Sequence, residues 1–528
     1  MSDCKVFVAD DVNDEKLAPL RDAGINVHKE TKLPPDELAV RMADANGVIV
    51  RSATKITAEL MDAAPNLKVI GRAGVGVDNI DVKAATERGI VVMNAPDGNT
   101  ITTAEHTFAL LISMARNIPQ ANALLNSGTW DKKRFVGVEL HGKTLGVIGL
   151  GRIGRHVSRI ARGFGMKVLG YDPFVSEDVN ESGIVLESLD NLISGSDFIT
   201  IHTPVTDETR GIIGAAAFAM MKDGVRIVNC ARGGLVNETA LLEALESGKV
   251  AGAALDVFES EPLSADSPLL NNPKIVATPH LGASTREAQE GVALTVAEQM
   301  RDYLLTGELR NAVNAPSMAA EELEKLKPYI DLAKNLGSFH RQVLGDERIT
   351  EVKLEFCGQL AESDCGPVIR AFLKGLLENV SNRINEVNAI HVAEERGIDL
   401  TTSLTKSARV SPFDISSIVV SGEVEQTASG SVYGDGVGRL TKIGNFSVEI
   451  VPSGYMLFAK NRDVPGVIGR IGSLLGDHGV NISRFYLGRN EEGGEALSVI
   501  ALDSPPASSV IDELRGIDTL ISVKQVMM

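Results

Sequence analysis

The chain has 528 residues, four cysteines, 44% hydrophobic and 23% charged residues, and a formal net charge of −18. That length suits about three or four domains with cores of their own, so no disulfide or metal staple is required. The acidic surplus disfavours nucleic acid and anionic membranes as main partners.

Cys4, Cys230, Cys357 and Cys365 lack zinc-site spacing, so no metal is expected. So sparse a set suits a reducing cytosol, and a cytoplasmic protein is expected. The N-terminal run MSDCKVFVADDVND turns acidic after one short apolar stretch, unlike a signal peptide. The most apolar helical stretch, 108–114, is too short to span a bilayer.

Along the first hundred residues, strand signals at 6–9, 25–28 and 47–52 alternate with helical stretches, and LKVIGRAG and IVVMNAP continue the series. This alternation predicts βαβ units and a parallel sheet. A long helix is expected over about 101–117, before Pro119. A second αβ series starts at 143–154 and runs to 275–280, its apolar runs suited to strands covered on both faces. A helix over about 284–305 and a Pro-containing linker, 311–317, follow. Beyond it the sequence predicts one or two helices over 318–345, then β-rich stretches (VKLEFCG, SSIVVSGEVE, GSVYGDGVGRLTKIG, FSVEIV) around a helical stretch at 367–382. From Tyr455 the order is β-α-β-β-α-β, the ferredoxin-like arrangement. The fold class is therefore α/β, with two doubly wound parallel-sheet domains of flavodoxin or Rossmann type, then an α+β domain and a ferredoxin-like domain.

Gly149-Leu-Gly151-Arg152-Ile153-Gly154 follows the strand TLGVI and opens a helix. The first glycine permits a tight turn, the second lets backbone approach a pyrophosphate, and the third lets helix and strand pack closely. Asp172 closes the next strand, where an acid can bind ribose hydroxyls and repel a 2′-phosphate, favouring NAD over NADP. A plain glycine turn in a flavodoxin-like domain is the alternative.

Three later segments each follow a strand: NCARGG with Arg232, DVFESEP with Asp256 and Glu261, and TPHLGA with His280. An arginine can hold a substrate carboxylate by a forked ion pair. A histidine can take a hydroxyl proton while a glutamate fixes its tautomer. Taken singly, each could be an ordinary surface or capping residue. Together, GKTLGVIGLGRIG, NCARGGLVNE, ALDVFESEP and TPHLGAST resemble the D-isomer-specific 2-hydroxyacid dehydrogenases over about residues 3–316. The resemblance implies catalysis by Arg232, Glu261 and His280. It implies cofactor contacts at Arg152, Ile153, Asp172, Thr203, Cys230, Ala231, Arg232, Asp256, His280, Leu281, Gly282 and Ala283. It also implies a substrate domain split into 1–98 and 282–316, with an NAD domain, 99–281, inserted between.

NGVIVRSATKIT and IGRAGVGVDNID resemble the substrate half of the family members that oxidise 3-phosphoglycerate. Gly74, Val75 and Gly76 can present successive backbone N–H groups as an anion nest. Arg51 and Arg72 add positive charge, though either could serve a surface ion pair. Val75 stands where some relatives carry threonine. Trp130, Lys132, Lys133 and Arg134 form a basic loop that, by resemblance, reaches a neighbouring subunit's substrate site; a solvated loop is the alternative. Residues 317–452 resemble the intervening domain of the long-form family members and 453–528 an ACT domain. The resemblance implies NAD-dependent oxidation of 3-phosphoglycerate, L-serine as allosteric effector, and a homotetramer, or at least a homodimer. The effector is expected at Asn461, Asp463 and Asn481, with Asn481 at the same end of the small sheet as Asp463 and facing a paired domain. Asn461 departs from the histidine or tyrosine of relatives. Arg439 and Lys442 could hold an anion, a solvated loop being the alternative. Hydroxypyruvate or glyoxylate reduction, 2-hydroxyglutarate oxidation and a non-enzymatic NAD-sensing corepressor remain the competing functions.

Overall fold

Five short strands, Lys5–Val8, Asn26–Lys29, Gly47–Val50, Val69–Arg72 and Val91–Met93, form an all-parallel sheet in the order 2-1-3-4-5. The computed structural model describes residues 4–175, 183–270, 272–315, 320–378, 384–406 and 413–528. The central strands are buried on both faces, as their unbroken Val/Ile runs require. One face is covered by the helix Arg286–Thr306, which enters the chain nearly two hundred residues later. A Cβ on Gly71 would lie 2.5 Å from both Met300 Sδ and Val296 Cγ1, so this helix seats closely only because the strand carries glycine there. Ala312 bridges Met93, and Asn314 Oδ1 accepts the Val92 N–H, completing the first body with chain from beyond the second sheet. The expected linker 311–317 is thus partly docked; residues 316 and 317, and the expected boundary between them, lie outside the described residues, as do 318–319 and 379–382.

The second sheet has seven parallel strands: Ile275–Ala277, Val250–Leu255, Val225–Asn229, Phe198–Ile201, Thr144–Ile148, Lys167–Tyr171 and Val185–Leu186, in that spatial order. Strand order reverses between Thr144–Ile148 and Phe198–Ile201, which opens the crevice where such sheets bind ligands. The helix Thr100–Ala115 packs on this sheet through Ala104, Phe108, Leu111 and Met114.

The third sheet is mixed, with Asp399–Thr405 parallel to Glu351–Cys357 and the strands Ile415–Ser421, Val424–Val432, Gly438–Ile443 and Phe446–Ile450 antiparallel. SSIVVSGEVE, read above as one stretch, is a hairpin turning at Gly422, whose φ is +58°. The fourth sheet, Tyr455–Arg462, Ile482–Arg489, Glu495–Leu502 and Leu520–Met527, is antiparallel with helices Val467–Asp477 and Ser508–Arg515. Much of its far face is covered. Met456, Phe458, Leu497, Val499 and Val526 join one core with Leu332, Leu336 and Phe339 of the helix Ala320–Leu344. The Phe339 and Phe458 rings are 5.0 Å apart, and the Gln342 amide exchanges bonds of 2.7 and 2.8 Å with the Met527 backbone. The segments expected as separate domains, 317–452 and 453–528, therefore share a hydrophobic core. Among the described residues no helix is long and apolar enough to cross a membrane.

Candidate active site

Strand Thr144–Ile148 ends in the glycine turn. Gly149 has φ +91°, and a Cβ there would lie 2.7 Å from His202 O. Gly154 faces back onto the turn, where its Cβ would lie 2.0 Å from Gly149 O. Gly151 is different: it caps the helix Arg152–Gly163 without a side-chain bond, and its Cβ would meet nothing within 4 Å. The first and third glycines thus close the turn and the second leaves it open. Beside it the buried Thr203 hydroxyl has no hydrogen-bond partner among the described residues. An open glycine at a helix N-terminus with an orphaned hydroxyl fits a dinucleotide pyrophosphate. Asp172 accepts from the Leu150 and Phe174 amides at 2.8 and 3.0 Å, which fixes its carboxylate over this turn. Arg152 pairs instead with Asp97 at 2.8 Å, and Ile153 packs against the core of the second sheet.

Asn229, Leu255 and Ala277 stand level on three adjacent strands, so the loops bearing Arg232, Asp256 and His280 leave the sheet side by side. The Asn229 side chain shapes the first loop, donating to Arg232 O at 2.8 Å and accepting from the Ala231 amide at 3.1 Å. Arg232 extends towards the first sheet, where its Nε donates to Asp78 at 2.9 Å and its guanidinium covers Gly76 closely enough that any Cβ would overlap it. Cys230 is buried and its thiol is pushed up to about 12 by desolvation, leaving only backbone there to meet a cofactor.

Glu261 Oε2 and His280 Nδ1 are 2.7 Å apart, and Glu261 Oε1 accepts from the Phe258 amide at 3.1 Å. With Nδ1–H given to the carboxylate, Nε2 is the free ring nitrogen that can accept a proton. Asp256, expected at the cofactor, is 0% exposed, and its carboxylate is turned into the His280 loop. It accepts from the Thr278 hydroxyl at 2.6 Å and from the Leu281 and Gly282 amides at 2.8 Å each. Burial would raise its pKa, yet hydrogen bonds from His106, Thr278 and Leu281 hold it below the ordinary carboxylate value. Leu281 is exposed and Ala283 half-buried next to it.

On the substrate side, the Arg51 backbone is pinned between Asp10 Oδ2 at 2.6 Å and Asn79 Nδ2 at 2.7 Å, while its Nη1 donates to Asp11 O at 2.9 Å. Arg72 is the residue the sequence undervalued. Its guanidinium lies over Gly74, its buried Nε has no hydrogen-bond partner among the described residues, and burial followed by repulsion from Arg232 lowers its pKa to about 10. The expected anion nest is smaller than three amides, because the Gly74 N–H already donates to Arg72 O at 2.8 Å. Val75 and Gly76 remain available for it. Arg134 sits in the exposed turn Lys132–Phe135, with Trp130 82% exposed nearby. That loop rejoins the fold where the Val138 amide donates to Ala115 O, at the far end of a 16-residue helix whose first turn holds the Gly282 loop. Such a helix is about 24 Å long. Among the described residues, no hydrogen bond or ion pair joins Arg134 to Arg51 or His280.

The expected effector residues are separated. Asn461 is buried, with Oδ1 accepting from Ser498 at 3.0 Å. Asp463 accepts from Arg489 and the Gly493 amide at 3.3 Å, whereas Asn481 donates to Asp503 at 2.6 Å. Arg462 pairs with Glu495 but Ile482 pairs with Leu502, so Asn481 lies at the opposite end of the sheet from Asp463. The expectation of a common end is corrected: the helix Val467–Asp477 carries the chain back before the next strand starts. Arg439 is also engaged, paired with Asp435 at 2.7 Å and stacked 4.6 Å over Tyr433, so it forms no free basic pair with Lys442.

Three family profiles match the chain: "D-isomer specific 2-hydroxyacid dehydrogenase, NAD binding domain" over 108–282, "D-3-phosphoglycerate dehydrogenase intervening domain" over 325–444, and "ACT domain" over 455–519. A D-3-phosphoglycerate dehydrogenase of Archaeoglobus fulgidus is 45% identical over 526 residues, covering 99% of both chains. One from Bacillus subtilis is 41% identical, covering 98% of this chain and 99% of its own. Among solved structures, a glyoxylate reductase from Paecilomyes thermophila superimposes with a TM-score of 0.56 at 33% identity, over 59% of this chain and 99% of its own. A D-lactate dehydrogenase of Aquifex aeolicus, complexed with NAD and lactic acid, gives 0.51 at 31% identity, over 59% of this chain and 100% of its own.

Proposed function

This chain belongs to the D-3-phosphoglycerate dehydrogenase family, and from that premise we propose that it oxidises 3-phosphoglycerate to 3-phosphohydroxypyruvate with NAD⁺, the first step of L-serine biosynthesis. The observation that carries the chemistry is the 2.7 Å Glu261–His280 pair, beside the arginine loop on the next strand but one. Arg232, with Arg72 behind it, holds the substrate carboxylate, and the Val75 and Gly76 amides add donors. His280 Nε2 takes the C2 hydroxyl proton, and Glu261 stabilises the imidazolium that results. NAD⁺, when bound, supplies the hydride acceptor for the C2 hydrogen. Gly149, Gly151, Gly154, Thr203 and Asp172 hold it, with the Asp172 charge opposing a 2′-phosphate. Arg51 offers a positive site for the substrate phosphate.

The same reading divides the chain into a split substrate body, an inserted NAD body and a regulatory body. It makes the protein a cytoplasmic homo-oligomer. Trp130, Val136, Ile118 and Leu125 are exposed on one stretch, and the helix Ile118–Asn126 buries no residue, which supports a partner subunit covering this face. Arg134 then serves a neighbour's site. L-Serine is the effector of the ACT sheet, and bridging Asp463 to Asn481 requires two chains, since one chain holds them at opposite ends. Initial rates with 3-phosphoglycerate, glycerate, hydroxypyruvate and 2-hydroxyglutarate, each with NAD and NADP cofactors, test the reading. 3-Phosphoglycerate with NAD⁺ should give the highest kcat/KM; a higher value for an unphosphorylated substrate overturns it.

A further inference from the structure

The helix Thr100–Ala115 lies against the turn that carries His280 and grips it at three points. The Thr103 hydroxyl donates to Gly282 O at 2.9 Å, and the Thr102 and Thr285 hydroxyls are 3.1 Å apart. One turn further on, His106 Nε2 lies 3.1 Å from Asp256 Oδ1 and 3.3 Å from Thr278 Oγ1. Thr278 gives its own proton to Asp256 at 2.6 Å, so both atoms facing His106 Nε2 are acceptors and the ring carries its proton there. Asp256 is the one charged group that His106 contacts among the described residues. Asp256 in turn defines the His280 turn, through the Leu281 and Gly282 amides on its carboxylate and the His280 amide on its carbonyl at 2.9 Å. His280 is held at φ +55°, a left-handed conformation that side-chain-bearing residues avoid unless their surroundings impose it.

We propose that His106 is a positioning residue for the catalytic base: by donating to Asp256 and Thr278 it fixes the left-handed turn at His280 and so keeps that imidazole against Glu261. The inference rests on His280 being the base and adds a residue that never touches substrate. Its side chain is 19% exposed, shielded enough for water to be a poor replacement donor. Losing that donor leaves a fully buried carboxylate with one bond fewer, and small displacements of a reacting group far from the mutated site can cost up to about 100-fold in rate.

The test uses the full-length protein with His106→Ala, His106→Gln and His280→Ala. His106→Ala should lower kcat by about 10- to 100-fold, with KM for 3-phosphoglycerate and NADH affinity near wild type and the protein still fully folded at the assay temperature. His106→Gln, whose amide offers an N–H at similar reach, should recover kcat to within about threefold of wild type. A wild-type kcat in His106→Ala, a loss confined to KM, or a Gln variant as poor as Ala overturns the proposal. If His280→Ala itself keeps wild-type turnover, the assignment of the base fails and this proposal with it. A kcat loss that tracks loss of folded protein shows His106 to be structural only.

Discussion

Two alanine substitutions in one turn should separate a glycine needed for folding from one needed for cofactor. A Cβ on Gly154 would lie 2.0 Å from Gly149 O, where ordinary contact begins at 3.4 Å, so helix and turn must part by about 1.4 Å. Both sides are backbone, and neither can rotate away. Overpacking of this kind costs about 1–3 kcal/mol, offset by about 1 kcal/mol because alanine suits a helix better than glycine. Gly154→Ala should therefore lose up to about 2 kcal/mol of stability and also bind NADH more weakly. Gly151→Ala meets nothing within 4 Å, and its φ of −66° is open to any residue, so stability should stay within about 0.5 kcal/mol of wild type. Its methyl would nevertheless stand where a pyrophosphate approaches the helix N-terminus. Losing one charge-assisted bond of about 1.5–3 kcal/mol raises Kd about 10- to 150-fold. Calorimetric NADH titration beside thermal unfolding of the same variants reads both quantities. A Gly151→Ala variant that binds NADH like wild type would refute the placement of the pyrophosphate, and one that melts early would refute the packing argument.

Asp172→Ala should weaken NAD⁺ by about 1.5–3 kcal/mol and narrow the preference over NADP⁺; an unchanged ratio of the two efficiencies removes Asp172 from cofactor choice. Phe458→Ala should cost about 3–5 kcal/mol and lower the unfolding of the small sheet and of the helix Ala320–Leu344 in one transition, because they share a core. Hydrogen exchange resolving the two losses separately would contradict that. His340 is fully buried and held neutral, its pKa lowered to about 4 by desolvation from an ordinary value of 6.5. The unfolded chain takes up this proton first, so stability should fall as pH drops from about 6.5 and level off below about 4, on the order of 3 kcal/mol in all. Denaturant midpoints for wild type and His340→Gln should diverge across that window, and parallel curves would count against it.

The parallel sheets were legible because strands such as Gly47–Val50 are buried on both faces and so carry uninterrupted apolar runs. Asp399–Thr405 was missed because an exposed edge strand with the sequence DLTTSLT has no apolar face to announce it. The glycine turn, Arg232, Glu261 and His280 could be picked from motif order, since each follows a strand at one sheet edge. Arg72 could not, because its importance comes from burial over Gly74 and the nearness of Arg232, both tertiary facts. Asn481 was misplaced because a crossover helix inverts which strand end comes next. The shared regulatory core did leave a trace: Met456–Ala459 is an unbroken buried run in an antiparallel strand, which alternation would forbid if one face met water.

In the proposed reaction the C2 hydrogen of 3-phosphoglycerate leaves as hydride while His280 takes the hydroxyl proton. 3-Phosphoglycerate deuterated at C2, turned over with NAD⁺ and followed by NMR of the nicotinamide, tests it most directly. One deuterium should appear at nicotinamide C4 per phosphohydroxypyruvate formed, and turnover should fall by about 10²–10⁴ in His280→Ala. Deuterium released to solvent, or wild-type transfer in His280→Ala, would contradict it.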